Sequence, residues 1–408
     1  MASIGTFVIY IIMVCAVAGA IASIRDPEKG LGKEFIEGLH SIGPIFIPVA
    51  GIMAAIPYLS QFIRVVVGPL FAMIGADPSI AATTVIAVDM GGYQLADALA
   101  GSRDAWMIAT IVGFTSGATI IFSIPVGLAM LAKSDHKYMA LGIMSGILSV
   151  PIGVFIACAI IALAGLDIRP EVSTTAEASY QIALGLGDIL RNLLPLIVFC
   201  VAIALGLRFA PDAMIKGFLW FGRIMYAGIT LVLVASIVEY FTGFFSTVFG
   251  SWGFDPIIAD EQDQFRALEI AGYIGIMLAG AFPMVYLLTK YLAGPMQVIG
   301  ARIGVSPEGA AGLLAASANI LAMYRLVGKM QPRDKVLAIA FAVCAAFTFG
   351  DHLAFSANFQ PTMILPLMLG KLLGGAAGFM LAVWLSVPKA EELAVLDARA
   401  AASPLPAE

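Results

Sequence analysis

Two aspartates stand beside glycine inside long apolar stretches: Asp89 in Val85-Ile-Ala-Val-Asp89-Met-Gly-Gly92, and Asp351 in Phe347-Thr-Phe-Gly350-Asp351-His352-Leu-Ala-Phe355. A charged side chain at the centre of a bilayer costs about 2.5–3.5 kcal/mol on the insertion scale. Such residues therefore face a bundle interior or a water-filled cavity and often mark a substrate or ion path. Gly91, Gly92 and Gly350 are the expected helix breaks, because glycine lets the backbone open and present its carbonyls. A carboxylate next to loosened backbone suits a small cation. Each aspartate also has a structural reading. Asp89 could cap the broken helix by accepting backbone N–H bonds. Asp351 could be neutralised by His352, or by a backbone donor, in a polar knot that serves folding. His352 adds a third option, a proton shuttle, since its charge changes near neutral pH.

Asn319 lies within another apolar stretch. Its amide offers acceptor and donor, which suits an amino alcohol and equally suits an inter-helix hydrogen bond. Tyr93, Thr119, Ser123 and Asn358 are weaker ligand candidates. An aromatic ring here more often packs in the core or meets lipid, and Ser and Thr often bond their own helix backbone. Asp97, Glu239 and Glu269 lie near the ends of apolar stretches, where solvated or interfacial roles are expected. No Gly-x4-Gly-Lys-Ser/Thr loop occurs, so nothing points to ATP. The glycines of Gly370-Lys-Leu-Leu-Gly374-Gly375 read as helix-packing residues. Two membrane aspartates sharing a proton would suit an aspartyl protease. That motif needs Gly-x-Gly-Asp, whereas the run here is Thr348-Phe-Gly350-Asp351, and no tyrosine precedes Asp89. The expectation is no enzyme. Cys15, Cys158, Cys200 and Cys344 each sit in an apolar run without CxxC spacing or a nearby His pair. They read as small packing residues, with no metal or cofactor expected.

The elements that must position these residues are helices. The chain has 408 residues, 61% hydrophobic and 12% charged, and its apolar runs are long enough to cross a bilayer. The expected fold class is all-α, a polytopic membrane protein of about 10–11 transmembrane helices. The net charge of −5 offers no basic patch, so nucleic acid is not an expected partner. The expected spans are 4–24, 43–63, 78–100, 105–131, 138–163, 189–209, 217–240, 268–292, 308–328, 336–357 and 361–387. The third and ninth are weak as continuous helices. Two apolar pieces, 65–76 and 295–305, are too short to cross and read as re-entrant or half-helical. The run 4–24 has no basic residue ahead of it and reads as a retained first helix rather than a signal peptide.

An internal repeat is also expected. Gly51-Ile-Met-Ala-Ala-Ile-Pro57 resembles Gly275-Ile-Met-Leu-Ala-Gly-Ala-Phe-Pro283. The pairs Gly68-Pro69 and Gly294-Pro295, Gly75-Ala-Asp-Pro78 and Gly304-Val-Ser-Pro307, and Arg103-Asp104 and Arg333-Asp334 follow in the same order. Asn319 is offset by one from the position matching Asp89. The division is a first transmembrane repeat at 1–165, a connecting segment with an extra helix at 166–210, a second repeat at 211–388 and a polar tail at 389–408. Paired Gly/Pro-broken segments in two halves point to a binding site near the midplane. The sequence leaves the repeats parallel or inverted, and a homo-oligomer is compatible with it.

At these residues the chain resembles the EutH-type ethanolamine permeases of bacterial ethanolamine-utilisation operons. The resemblance covers nearly the whole length. It rests on Asp89-Met-Gly-Gly92, Leu99-Ala-Gly101, Thr119-Ile-Ile-Phe-Ser-Ile-Pro-Val126, Ala140-Leu-Gly142, Pro283-Met284 with Leu287-Leu-Thr289, and Gly350-Asp351-His352-Leu353. It implies an inner-membrane protein that imports ethanolamine for a cytosolic lyase pathway. The chain departs from that pattern at Ala118, where a proline is expected, and at Ile320 and Ala322, where an asparagine and a proline are expected. In this reading Asp89 or Asp351, with unwound carbonyls, takes the ammonium, and Asn319 or a Ser/Thr takes the hydroxyl. A buried carboxylate without a ligand tends to bind a proton instead, so proton and substrate would compete. The alternative function is transport of another small solute, either a different amino alcohol or an inorganic cation.

Overall fold

Inside lipid a backbone must satisfy its own N–H and C=O groups, and an apolar helix does so within one segment. The computed structural model describes residues 2–402, and the side chains of residues 4–397. α1 (Ala2–Arg25) turns back as α2 (Gly30–His40) and α3 (Ile42–Ala54). α4 (Ile56–Phe62), a π-helical turn at Ile63–Val67 and α5 (Gly68–Met73) form one 18-residue apolar stretch. The piece expected as a separate half-helix at 65–76 is therefore the second half of that stretch. α6 (Ser79–Val85), a 3-10 turn at Val88–Met90 and α7 (Gly92–Leu99) make the first broken element. α8 (Arg103–Val112), a π-helical segment at Gly113–Ser123 and α9 (Ile124–Met130) make a continuous, almost wholly buried central helix.

α10 (His136–Ile147) and α11 (Val150–Ala164) lead to a short antiparallel pair, Asp167–Ile168 with Tyr180–Gln181. α12 (Leu186–Phe209), α13 (Pro211–Thr242) and α14 (Phe244–Phe249) follow. Trp220, Leu231 and Phe241 of α13 are exposed, an apolar outer face of the kind lipid covers. α15 (Ala267–Arg302) runs unbroken through Pro283 and Pro295 for 36 residues, so most of the expected separate piece at 295–305 belongs to it. At about 1.5 Å per residue it is about 54 Å long, well beyond the hydrocarbon core. α16 (Pro307–Ala318) and α17 (Ile320–Val327) form a second broken element, and α18 (Pro332–Ala345) and α19 (Asp351–Phe359) a third. α20 (Ile364–Leu385) and α21 (Val387–Ala402) complete the chain.

Among the described residues nine helical stretches are long and apolar enough to cross a membrane. The stretches expected at 78–100, 308–328 and 336–357 are not among them, because each is interrupted. The polar tail expected at 389–408 is helical at its start. It continues as α21, where Asp397 accepts hydrogen bonds from the Lys137 ammonium and the Tyr138 hydroxyl, and the Lys137 bond holds its carboxyl below the usual range. Residues 403–408 lie outside the described residues.

The paired glycine motifs share one backbone solution. Ala76 N–H bonds the Phe71 carbonyl and Gly75 N–H that of Ala72; Val305 and Gly304 bond Gly300 and Ala301 in the same way. Gly75 and Gly304 have φ of +66° and +73°, the left-handed helix cap that glycine adopts without strain. Helix packing is close where glycines meet. A Cβ on Gly374 would fall 2.8 Å from the Gly153 Cα, so α20 and α11 touch almost backbone to backbone.

One buried ion pair ties the bundle together. Lys335 on α18 donates to Asp135, ahead of α10, at 2.5 Å, and both side chains are about nine-tenths buried. Removing one partner strands the other charge, which costs about 3–5 kcal/mol. Lys335→Met should therefore lower thermal stability in detergent sharply. Lys335→Met combined with Asp135→Leu should recover most of that loss.

Candidate functional site

The three broken elements each have a local cause. Between α6 and α7 the chain is extended at Ile86 and Ala87, then turns through Gly91 at φ +94°. Gly92 N–H closes the turn on the Ala87 carbonyl at 2.9 Å. Asn319 is extended and caps α17: its Oδ1 accepts from Leu321 N–H at 2.8 Å. The break expected at this position is therefore present although Ile320 and Ala322 replace the residues of the family pattern. Between α18 and α19, Phe347 is the one described non-glycine residue at positive φ, +61°. That backbone is held from outside. Phe347 N–H bonds the Ala316 carbonyl at 3.2 Å and Phe349 N–H bonds that of Ser317 at 2.9 Å. A Cβ on Gly350 would lie 2.4 Å from the Ala318 carbonyl. The open end of α16 thus supplies acceptors for the unwound donors after α18.

These breaks face a cavity of about 380 Å³. Asp89, Asn319, Asp351 and His352 all line it, with Phe122 and Phe347 as apolar wall. His352 is buried, its ring 4.9 Å from that of Phe114 and 5.3 Å from that of Phe347. Its Nε2 lies 4.0 Å from the Asp89 Oδ2, too long for a hydrogen bond. Its Nδ1 has no hydrogen-bond partner among the described residues. The carboxylate within 4.0 Å of the His352 ring is thus that of Asp89 rather than of its neighbour Asp351. Among the described residues no N–H of α7 reaches the Asp89 carboxylate, so the capping role is not formed.

The other four candidates sit elsewhere. Tyr93 is buried under Trp106 and Phe355, and its hydroxyl accepts from Gln360 at 2.8 Å. Thr119 donates to the Val343 carbonyl and Ser123 to that of Ala118. Asn358 donates to the carbonyls of Tyr273 and Ala354. None of the four lines the cavity; their hydrogen bonds join helices or serve their own backbone. Asp97, Glu239 and Glu269 hold loops and turns: Asp97 pairs with Arg103, Glu239 accepts from Phe245 N–H, and Glu269 from Ala259 N–H.

With this geometry in view, comparison with known proteins identifies the lineage. Residues 4–385 match the family described as "Ethanolamine utilisation protein, EutH". The chain belongs to the EutH family. It is 36% identical over 385 residues to the "Probable ethanolamine permease EutH" of Listeria monocytogenes, covering 94% of this chain and 95% of that one. It is 38% identical to the protein of the same name from Escherichia coli K12, covering 90% and 88%. A Bacillus subtilis relative named "Uncharacterized protein YxeR" is 33% identical over 93% of this chain. No solved structure matches. This member of the EutH family is thus a multi-pass membrane transport protein and not an enzyme.

Sequence reasoning missed two features of the site. Glu37 and His40 of α2, and Ser41 just after it, also line the cavity, and Glu37 and His40 are exposed at its mouth. Their signal was present: Glu37 and His40 are three apart, on one face of a short amphipathic helix. Lys371 on α20 is 2% exposed, donates to the Phe114 carbonyl at 2.5 Å and lies within electrostatic reach of Asp89. A lysine in the middle of a 22-residue apolar helix was the signal for it.

The cap at Asn319 leaves the Nδ2 donors as what its amide can offer to a ligand. Asn319→Ala should lose about 0.5–2 kcal/mol of stability, read as a lower melting temperature in detergent. Asn319→Asp keeps an acceptor for Leu321 N–H and should melt near wild type, while losing the Nδ2 donors.

Proposed function

We propose that this EutH-family protein carries ethanolamine, or a closely similar amino alcohol, across the bacterial inner membrane as the cation. The observation that supports this most is the joining of Asp89, Asp351 and the Asn319 amide around one cavity at three helix breaks. Protonated ethanolamine presents an ammonium with three donors and a hydroxyl. In this reading the carboxylates take the ammonium, and the free donors of Asn319 take the hydroxyl oxygen. Phe122 and Phe347 offer ring faces to a cation. The cavity exceeds what four non-hydrogen atoms fill, so water accompanies the solute. The names of the Listeria and Escherichia relatives agree with the substrate. An inorganic cation remains the second reading, and it leaves the Asn319 donors without a role.

The shared glycine caps at Gly75 and Gly304, and the broken element after each, support reading 1–165 and 211–388 as two copies of one unit. Asp89 comes from the first copy, and Asp351 and Asn319 from the second. The site of transport then lies where the copies meet.

With no nucleotide loop in the sequence, transport draws on gradients. A primary ammonium is mostly protonated at neutral pH. A cation crossing alone gains about 2.3 kcal/mol per 100 mV of inside-negative potential. At about 1.36 kcal/mol per decade this is an accumulation ratio of roughly fifty. Uptake into liposomes should rise with an imposed potassium diffusion potential in the absence of a pH gradient. Uptake indifferent to that potential excludes cation uniport.

Asp89→Asn keeps size and hydrogen bonding but removes the charge. Losing a charge-assisted partner costs about 1.5–3 kcal/mol, so affinity should fall roughly ten- to a hundred-fold. Normal uptake by well-expressed Asp89→Asn protein would falsify the ligand role. His352→Gln separates a proton role from a packing role. A stable His352→Gln protein whose transport keeps the wild-type pH profile removes His352 from proton movement.

A further inference from the structure

A second cavity, of about 290 Å³, is lined by Met53 at the end of α3, by Gln94 and Asp97 on α7, and by Asp255, Asp263 and Arg266 in the loop before α15. Its charges are mostly spoken for. Asp97 pairs with Arg103, and Arg266 lies 3.3 Å from Asp260 and 3.5 Å from Asp263. Asp255 is the exception: among the described residues its carboxylate has no ion pair and no hydrogen bond. Its backbone N–H bonds the Ala54 carbonyl at 2.9 Å, which pins it against the end of α3. Burial pushes its carboxyl above the usual range; the nearby Arg266 guanidinium pulls it down, and the carboxylates of Asp263 and Asp260 push it up again.

Gln94 gives the second, independent observation. It is 8% exposed, it lines this cavity, and neither its Oε1 nor its Nε2 has a hydrogen-bond partner among the described residues. Buried carboxamides are almost always bonded, and this one faces space that a ligand can enter. Among the described residues no three His, Cys, Asp or Glu side chains form a group that could hold a metal ion. One uncommitted carboxylate and one uncommitted amide match an ammonium that also carries a hydroxyl.

We propose that this cavity is a second substrate site, a vestibule in which Asp255 takes the ammonium of a small amino alcohol and Gln94 its hydroxyl. The proposal rests on the transport reading above. The two cavities follow one another along the same elements. α3 lines the central one with Pro44 and Pro48 and the vestibule with Met53, about 8 Å farther along its axis at about 1.5 Å per residue. Between them the turn at Gly91 packs closely on α3. A Cβ on Gly91 would meet Ile52 at 2.9 Å and Met53 at 3.3 Å. Glu37 and His40 mark the opposite mouth, so the vestibule is the other end of the path.

The test is calorimetric titration of the purified full-length protein with ethanolamine, and with ethylamine as the analogue lacking the hydroxyl. Wild type should bind two equivalents of ethanolamine. Asp89→Asn should keep the vestibule equivalent, and Asp255→Asn should keep only the central one. Gln94→Leu should weaken ethanolamine at the vestibule about tenfold, in line with the loss of a hydrogen bond, and leave ethylamine unchanged. One equivalent in wild type that Asp89→Asn abolishes overturns the vestibule and leaves the central reading standing. The same holds if Asp255→Asn retains two equivalents, or if Gln94→Leu binds ethanolamine at both sites with wild-type affinity. Binding lost in Asp255→Asn but untouched in Asp89→Asn supports the vestibule and overturns the central site. No binding by wild type overturns both.

Discussion

Backbone that leaves the helix inside a bilayer must find hydrogen-bond partners within the protein, and the site of this protein is built from the way that demand is met. The last carbonyls of α16, at Ala316 and Ser317, are open because Asn319 ends the helix. The N–H groups of Phe347 and Phe349 are open because α18 has ended. Each set satisfies the other. This exchange places the start of α19, and so Asp351 and His352, against the N-cap of α17. It also holds Phe347 at a φ that costs about 1–3 kcal/mol for a side-chain-bearing residue. Such a conformation persists only when its surroundings over-determine it, and here two backbone hydrogen bonds and the close passage of Gly350 past Ala318 do so.

The electrostatics follow from the same geometry. Asp89 and Asp351 share a cavity; among the described residues Lys371 supplies positive charge from behind it, and the buried His352 ring lies 4.0 Å from Asp89. Lys371 is not free to reach into the cavity, because its ammonium donates to the Phe114 carbonyl at the start of the π-helical segment. π-helical turns leave carbonyls displaced from the regular ladder, and a buried ammonium is a strong donor for one. The lysine therefore fixes the segment that carries Ala118 and Phe122 while offsetting part of the negative charge. Two carboxylates facing one lysine leave room for one more cation, which is the charge a protonated amine brings.

Much of this was legible in the sequence. Charged residues beside glycine in apolar runs identified Asp89 and Asp351 because insertion energetics leave such residues few other roles, and Asn319 followed from the repeat. The breaks at 86–91 and 319 could be read from Gly91-Gly92 and from a polar residue in mid-span. The break at 346–350 was signalled only at its end, by Gly350, because Ala346 and Phe347 carry no breaking signal. The unwinding there is imposed by Ala316 and Ser317, which are distant in sequence. The same limit explains Thr119 and Ser123. A hydroxyl on a buried helix can bond its own backbone, another helix or a ligand, and only the neighbours decide. Lys371 was hidden by its glycines, whose packing role against α11 is real and drew the reading away from the side chain between them. Continuous apolar helices were misjudged for a different reason. Pro295 looks like a stop, yet α15 passes through it, since a proline inside a membrane helix can be tolerated where neighbours satisfy the freed carbonyl.

The division of the ligands between elements has a mechanical consequence. Asp89 hangs on the turn between α6 and α7, whereas Asn319 and Asp351 belong to the interlocked breaks between α16 and α17 and between α18 and α19. A solute whose ammonium is held on one side and whose hydroxyl is held on the other senses the distance between these two bodies. Its affinity is therefore greatest in one relative position, and binding stabilises that position by the difference in affinity and by nothing more. A solute with a charge alone, lacking the hydroxyl, spans only the carboxylates and couples the two bodies less. On the proposed reading, selectivity for an amino alcohol over a simple amine would arise from the same arrangement that would let the solute drive the helices past one another, so recognition and movement would be two readings of one geometry.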